Sequence, residues 1–164
     1  MSIPFSADEV LQIAEQIERN GARFYRRASQ GFTDARARDL LLDLAIIEDG
    51  HQKAFAAMRA ELPPQERETT VPDPYGEAAW YLGGMAGGQL FDVTADPSER
   101  LTGKETVEEI LRTAIGLEKD AIVFYLGIKD MVPEGPIKPR VDAIIKQEMG
   151  HVVFLSKELA ALKG

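Results

Sequence analysis

At 164 residues, 45% of them hydrophobic, the chain is long enough to form one domain, 1–164, with a sizeable core. Its net charge of −8 argues against nucleic acid or an anionic membrane surface as a partner, and the absence of cysteine excludes disulfides, iron–sulfur clusters and thiol chemistry. The first residues lack a basic stretch leading into an apolar core. The longest uncharged run, 78–91, is too short and too glycine-rich to span a bilayer, so no membrane segment and a cytoplasmic setting are expected.

Four long helical segments follow in chain order. The first opens at Ser6, with Glu9 three residues on completing a capping box, and repeats apolar residues at Val10, Ile13, Ile17, Phe24 and Ala28 to end near Gly31. The second starts around Thr33 and Asp34 and carries Leu40, Leu41, Leu44, Ile47, Phe55 and Met58 until Pro63 and Pro64 stop it near Leu62. The third is expected to start at Thr102, with Glu105 closing a capping box, and to run through Val107, Ile110, Leu111, Ala114, Ile115, Leu117, Ile122 and Tyr125, ending before Pro133. The fourth begins near Pro139 and runs through Val141, Ile144, Ile145, Val152, Leu155 and Leu159 to the C-terminus. The long Pro- and Gly-rich connection 63–101 suits a crossover along a bundle of two antiparallel hairpins. Its apolar part, with Trp80, Tyr81, Leu82 and Met85, is expected to form a short helix at the bundle or at a subunit contact, with a plain interior turn as the alternative.

Both histidines of the chain stand three residues after a glutamate, in Glu48-Asp49-Gly50-His51 and Glu148-Met149-Gly150-His151, and the two motifs are 100 positions apart. The same offset relates Glu18 to Glu118 and Phe24-Tyr25 to Phe124-Tyr125. One Glu-x-x-His is weak evidence, but the repeated order Glu…Phe-Tyr…Glu-x-x-His marks a duplicated helical hairpin. Glu and His at i and i+3 share a helix face, and each of the four glutamates interrupts an apolar face. A buried unpaired carboxylate costs several kcal/mol, and four together exceed what a chain stable by roughly 5–15 kcal/mol tolerates. Two divalent cations match four carboxylates, and oxygen-rich ligation with one imidazole per ion suits iron or manganese, with zinc also able to occupy it. The candidate metal ligands are thus Glu18, Glu48, His51, Glu118, Glu148 and His151, with each histidine neutral on a different ion. Tyr25 and Tyr125 lie two turns from their glutamates, either as core aromatics or with each hydroxyl bonded to a ligand carboxylate across the bundle. Glu15 has Ile115 at the corresponding position and is expected to be a rim or surface charge.

On Glu18…Tyr25, Glu48-x-x-His51, Glu118…Tyr125 and Glu148-x-x-His151, the chain resembles the rubrerythrin-like branch of the ferritin-like superfamily. The resemblance spans all four helices. It implies an all-α, ferritin-like four-helix bundle, two iron ions on the six ligands, a homodimer, and reduction of peroxide or dioxygen with an external electron donor. Rubrerythrins carry a cysteine-rich domain that supplies electrons, and an extra glutamate one turn after the third-helix ligand. This chain has no cysteine, and Ala121 stands at that position. Beside an oxidoreductase, two other functions fit the same ligands: a metal-binding or delivery protein without turnover, and a bundle stapled by zinc.

Overall fold

A computed structural model of the chain describes residues 6–68 and 96–162. Four long helices, numbered α1 to α4, dominate: α1 Ala7–Ser29, α2 Ala35–Ala60, α3 Val107–Lys129 and α4 Ile137–Ala161. A short helix, Pro64–Glu68, follows α2, and a 3-10 turn, Pro97–Arg100, precedes α3.

The helix starts follow from side-chain chemistry. Ser6 and Glu9 form the expected capping box of α1, and Asp34 caps α2 by accepting from the Ala37 amide at 2.8 Å. α3 corrects the sequence expectation. Its capping box is Thr106 with Glu109, one motif later than Thr102 with Glu105. Gly103, at φ +78°, turns the chain out of helical geometry. The Glu105 carboxylate accepts from the Thr102 amide at 2.6 Å and the Gly103 amide at 3.0 Å, closing a turn ahead of the helix. α4 likewise starts at Ile137 rather than at Pro139, which falls inside its first turn, where a missing N–H costs nothing. At the far end of α2 the helix stops at Ala60, and Arg67 donates to the Leu62 carbonyl at 3.0 Å and the Ala60 carbonyl at 2.7 Å. Those carbonyls would otherwise lack partners at the helix end.

The buried side chains form two apolar layers. One joins Val10, Leu11 and Ala14 of α1, Phe55 and Met58 of α2, Phe124, Tyr125 and Ile128 of α3, and Val141, Ile144 and Ile145 of α4. The other joins Phe24 and Ala28, Leu41 and Leu44, Ile110 and Leu111, and Leu155. The N-terminal half of α1 therefore lies level with the C-terminal halves of α2 and α3 and the N-terminal half of α4. Every neighbouring pair is antiparallel, and the two halves of the duplication face each other head to tail. Arg36 to Glu158 at 3.1 Å and Arg140 to Glu61 at 2.5 Å confirm that α2 and α4 are neighbours.

This arrangement puts the end of α2 and the start of α3 at opposite ends of the bundle, so the connection has to travel its length. Its last described part returns beside α1, where Arg23 reaches Asp96 at 3.4 Å. Trp80, Tyr81, Leu82 and Met85, expected to form a short helix, lie outside the described residues. Ile47, expected in the apolar stripe of α2, is 40% exposed, and Leu42 and Ile46 of the same helix are exposed with it. Among the described residues no helix is long and apolar enough to cross a membrane.

Candidate metal centre

Between the two apolar layers, at mid-height of the bundle, each helix contributes one buried glutamate: Glu18 from α1, Glu48 from α2, Glu118 from α3 and Glu148 from α4. His51 and His151, one turn after their glutamates, are buried beside them with their rings stacked, centroids 5.8 Å apart. The structure brings all six sequence-predicted positions together. They form two overlapping groups, one of Glu18, Glu48, His51 and Glu148, the other of Glu48, Glu118, Glu148 and His151. Within each, one ligand atom per residue lies within 4.8 Å of the others. Glu48 and Glu148 belong to both groups, so they are the carboxylates placed to serve two cations at once.

The polar atoms fit a cation better than they fit one another. Glu18 Oε2, Glu48 Oε1, His51 Nδ1 and Glu148 Oε1 are buried without a hydrogen-bond partner. His51 Nδ1 lies 2.7 Å from Glu148 Oε1 and 3.3 Å from Glu18 Oε2, yet the alignment of a hydrogen bond is missing. These atoms converge on the space between them. Native interiors rarely leave such atoms unsatisfied, and four from one group of four residues mark a place for a positive charge.

The electrostatics agree. Burial raises the Glu18, Glu48 and Glu118 carboxyls above their ordinary range, and neighbouring carboxylates add to the rise, taking Glu118 to about 8. Burial pushes Glu148 the same way, but the His151 and His51 rings beside it outweigh it and hold this carboxyl below its usual range. For the histidines burial favours the neutral ring. The Glu148 and Glu18 carboxylates beside it nevertheless raise His51 to about 10, and those of Glu118 and Glu148 raise His151 to about 9. Neutral imidazoles, the expectation for metal-bound histidines, thus require a cation to displace a proton from each ring.

Tyr25 donates to Glu118 Oε1 and Tyr125 to Glu18 Oε1, each from one half of the duplication to the other. The two readings of these tyrosines merge, because both rings are fully buried in the core and both hydroxyls bond a carboxylate. Burial and the nearby carboxylates raise both phenols well above 10, so they remain donors. Glu15 corrects its expectation. It is buried, and Arg59 reaches it at 3.1 Å while also donating to Asp8 at 3.0 Å. A guanidinium is the partner a buried carboxylate needs, and Glu15 joins neither ligand group.

Sequence reasoning passed over two residues. A Cβ on Gly21 would lie 2.8 Å from Glu48 Oε2, so this glycine makes room for a carboxylate shared by both groups. Its signal was available, since a glycine inside a helix costs about 1 kcal/mol relative to alanine and needs a reason. Gln147 of α4 places Oε1 2.6 Å from His51 Nε2. An exposed polar residue on a helix gives no such warning.

No protein-family model and no curated protein matches the chain. Among solved structures it is similar to a protein from Thermotoga maritima described, by inference, as a ferritin-like diiron-carboxylate protein. The two are 28% identical, the match covers 96% of each chain, and the TM-score is 0.75. The bundle is thus a ferritin-like fold, and the similarity and the buried Glu/His cluster together support a dimetal-carboxylate protein.

Two predictions follow from this geometry. The ordinary histidine value is 6.5, and both folded values lie above it. In protein stripped of metal, the charged imidazoles contribute stability that is complete below pH 6.5 and is lost as pH rises through about 9 and 10. Thermal melts of chelator-treated protein should therefore fall between pH 6.5 and 10, whereas metal affinity should rise over the same range as protons leave the rings. A melting temperature that climbs across that window would contradict the protonation assigned here. In the second, Gly21→Ala should stabilise the stripped protein by about 1 kcal/mol through helix propensity while weakening metal binding, because the new methyl displaces the Glu48 carboxylate. Urea denaturation and metal titration separate the two effects, and an unchanged affinity would dismiss the role given to Gly21.

Proposed function

We propose that the protein is a non-haem diiron oxidoreductase of the rubrerythrin-like kind, reacting with peroxide or dioxygen and drawing electrons from an external donor. The observation that carries this reading is the pair of overlapping four-residue groups that share Glu48 and Glu148. A single structural ion would need only one of them. Six ligands with four carboxylates are rich in oxygen, which suits iron or manganese ahead of softer ions. A ferrous pair held there would supply two electrons to peroxide or dioxygen.

The residues of the chain set the conditions. Glu18 with His51 and Glu118 with His151 each belong to one group, so each pair would hold one ion, with Glu48 and Glu148 between them. The Tyr125 and Tyr25 hydroxyls restrain Glu18 and Glu118 from the opposite half of the bundle. The apolar layers above and below exclude bulk water and strengthen every charge interaction in the centre. Ala121 is buried and brings no further carboxylate, so the shell stays at four glutamates. We expect slower peroxide turnover than in rubrerythrins with the additional glutamate, and none without added reductant, since the chain has no cysteine to hold an electron-donating iron site.

Assembly belongs to the same proposal. Ile46 is 64% exposed on α2 and Val153 is 54% exposed on α4, with Leu42, Ile47, Met149 and Phe154 also open on these neighbouring helices. Gly50 and Gly150, inside the same two helices, have open space where a Cβ would be. A second copy of this chain in the cytoplasm would cover such a surface.

Anaerobic loading with ferrous iron should give two ions per chain, and stopped-flow mixing with peroxide or dioxygen should produce the near-ultraviolet absorption of the oxidised pair. Glu118→Ala should lose one ion and most of the signal. Iron bound at two per chain but inert to both oxidants would leave metal handling as the function, and two inert zinc ions required for folding would leave a structural role. Light scattering at micromolar concentration should give twice the monomer mass of 18.1 kDa, and a monomer would remove the dimer from the proposal.

A further inference from the structure

The duplication is close to symmetrical at the ligands and asymmetrical just outside them. His51 meets polar groups at both ring nitrogens and is hydrogen-bonded at Nε2. Its Nδ1 faces Glu148 and Glu18, and its Nε2 lies 2.6 Å from the side-chain oxygen of Gln147, which crosses from α4 to α2. An oxygen can only accept here, so Nε2 keeps its hydrogen, and the lone pair of the neutral ring falls on Nδ1, facing the carboxylates. His151 also turns Nδ1 inward, 2.9 Å from Glu148, 3.5 Å from Glu118 and 3.7 Å from Glu48. Its Nε2 has no hydrogen-bond partner among the described residues. The position 100 before Gln147 is Ile47, whose side chain has no acceptor.

We propose that Gln147 is a positioning residue that fixes the tautomer and ring orientation of His51, so that the two cation positions are unequal and the one built on Glu18 and His51 fills first. The inference rests on the dimetal reading and adds an order to it. Partners of a ligating histidine's outer N–H typically change metal affinity by 10–100-fold. Gln147 is exposed and competes with water for its own oxygen, which places the expected effect at the lower end, about tenfold. Gln147 touches His51 and no cation, so its part is to set the ligand.

The test is titration of metal-stripped protein with Co2+, read by visible absorption and calorimetry. Wild type should bind two ions in steps about tenfold apart. Gln147→Leu should weaken the tighter step by about tenfold and merge the two, while its stripped form melts as wild type does. Gln147→Glu keeps an acceptor and should preserve two steps. Ile47→Gln should tighten the weaker step, a gain that damage to the fold cannot mimic. Proton NMR of the cobalt protein should show one shifted imidazole N–H that exchanges slowly with water and is lost in Gln147→Leu. Two equal steps in wild type, or Gln147→Leu weakening both steps alike, would overturn the inference and leave the dimetal centre standing. Failure of wild type to bind any cobalt would overturn both.

Discussion

Everything in this bundle answers to four carboxylates buried at one level, where their mutual repulsion and lost hydration have to be offset. In a chain of ordinary stability an unpaired buried carboxylate is a large fraction of the total. The protein supplies part of the compensation itself. Glu148 lies between two imidazoles, Glu18 and Glu118 accept from buried phenols, and burial raises the Glu118 carboxyl above its ordinary range. The remainder is visible as buried oxygen and nitrogen atoms that converge without bonding one another. Cations complete this balance more fully than protons do, because one ion can satisfy several of these atoms at once.

The head-to-tail packing of the two hairpins makes that balance possible. With α1 against α3 and α2 against α4 antiparallel, every ligand near a helix midpoint meets its counterpart at the same height. The same packing sends Tyr25 to the carboxylate of α3 and Tyr125 to that of α1, so each half restrains a ligand of the other. An apolar layer on each side keeps water from relaxing the charges. The long connection is the topological cost of this arrangement, since head-to-tail hairpins cannot be joined by a short turn.

Departures from symmetry carry the individuality of the protein. At positions related by the 100-residue offset, Gly21 stands against Ala121 in the sequence, Gln147 against Ile47, and Glu15, paired with Arg59, against Ile115. None alters a ligand. Each alters how a ligand or its helix is held, through space beside Glu48, an acceptor behind His51, or a guanidinium that ties α2 to α1. Relatives with the same six ligands could differ in metal preference and rate through positions of this kind.

The chain by itself determined the four long helices and the residues that meet between them. Apolar periodicity placed four helices, and the 100-residue offset singled out Glu18, Glu48, His51 and their counterparts, because a repeated spacing of charged residues on apolar faces has few explanations besides a shared ligand set. Helix starts were legible where one cap competed, as at Ser6, and misread where Thr102-Glu105 and Thr106-Glu109 offered two in succession and only the backbone at Gly103 decided between them. The tertiary structure alone decided that Glu48 and Glu148 are the shared carboxylates, that Arg59 claims Glu15, that Gly21 clears space and that Gln147 backs His51. These depend on which side chains from different helices meet in space. Local sequence encodes the face a residue shares, while its partner across the bundle is set by packing.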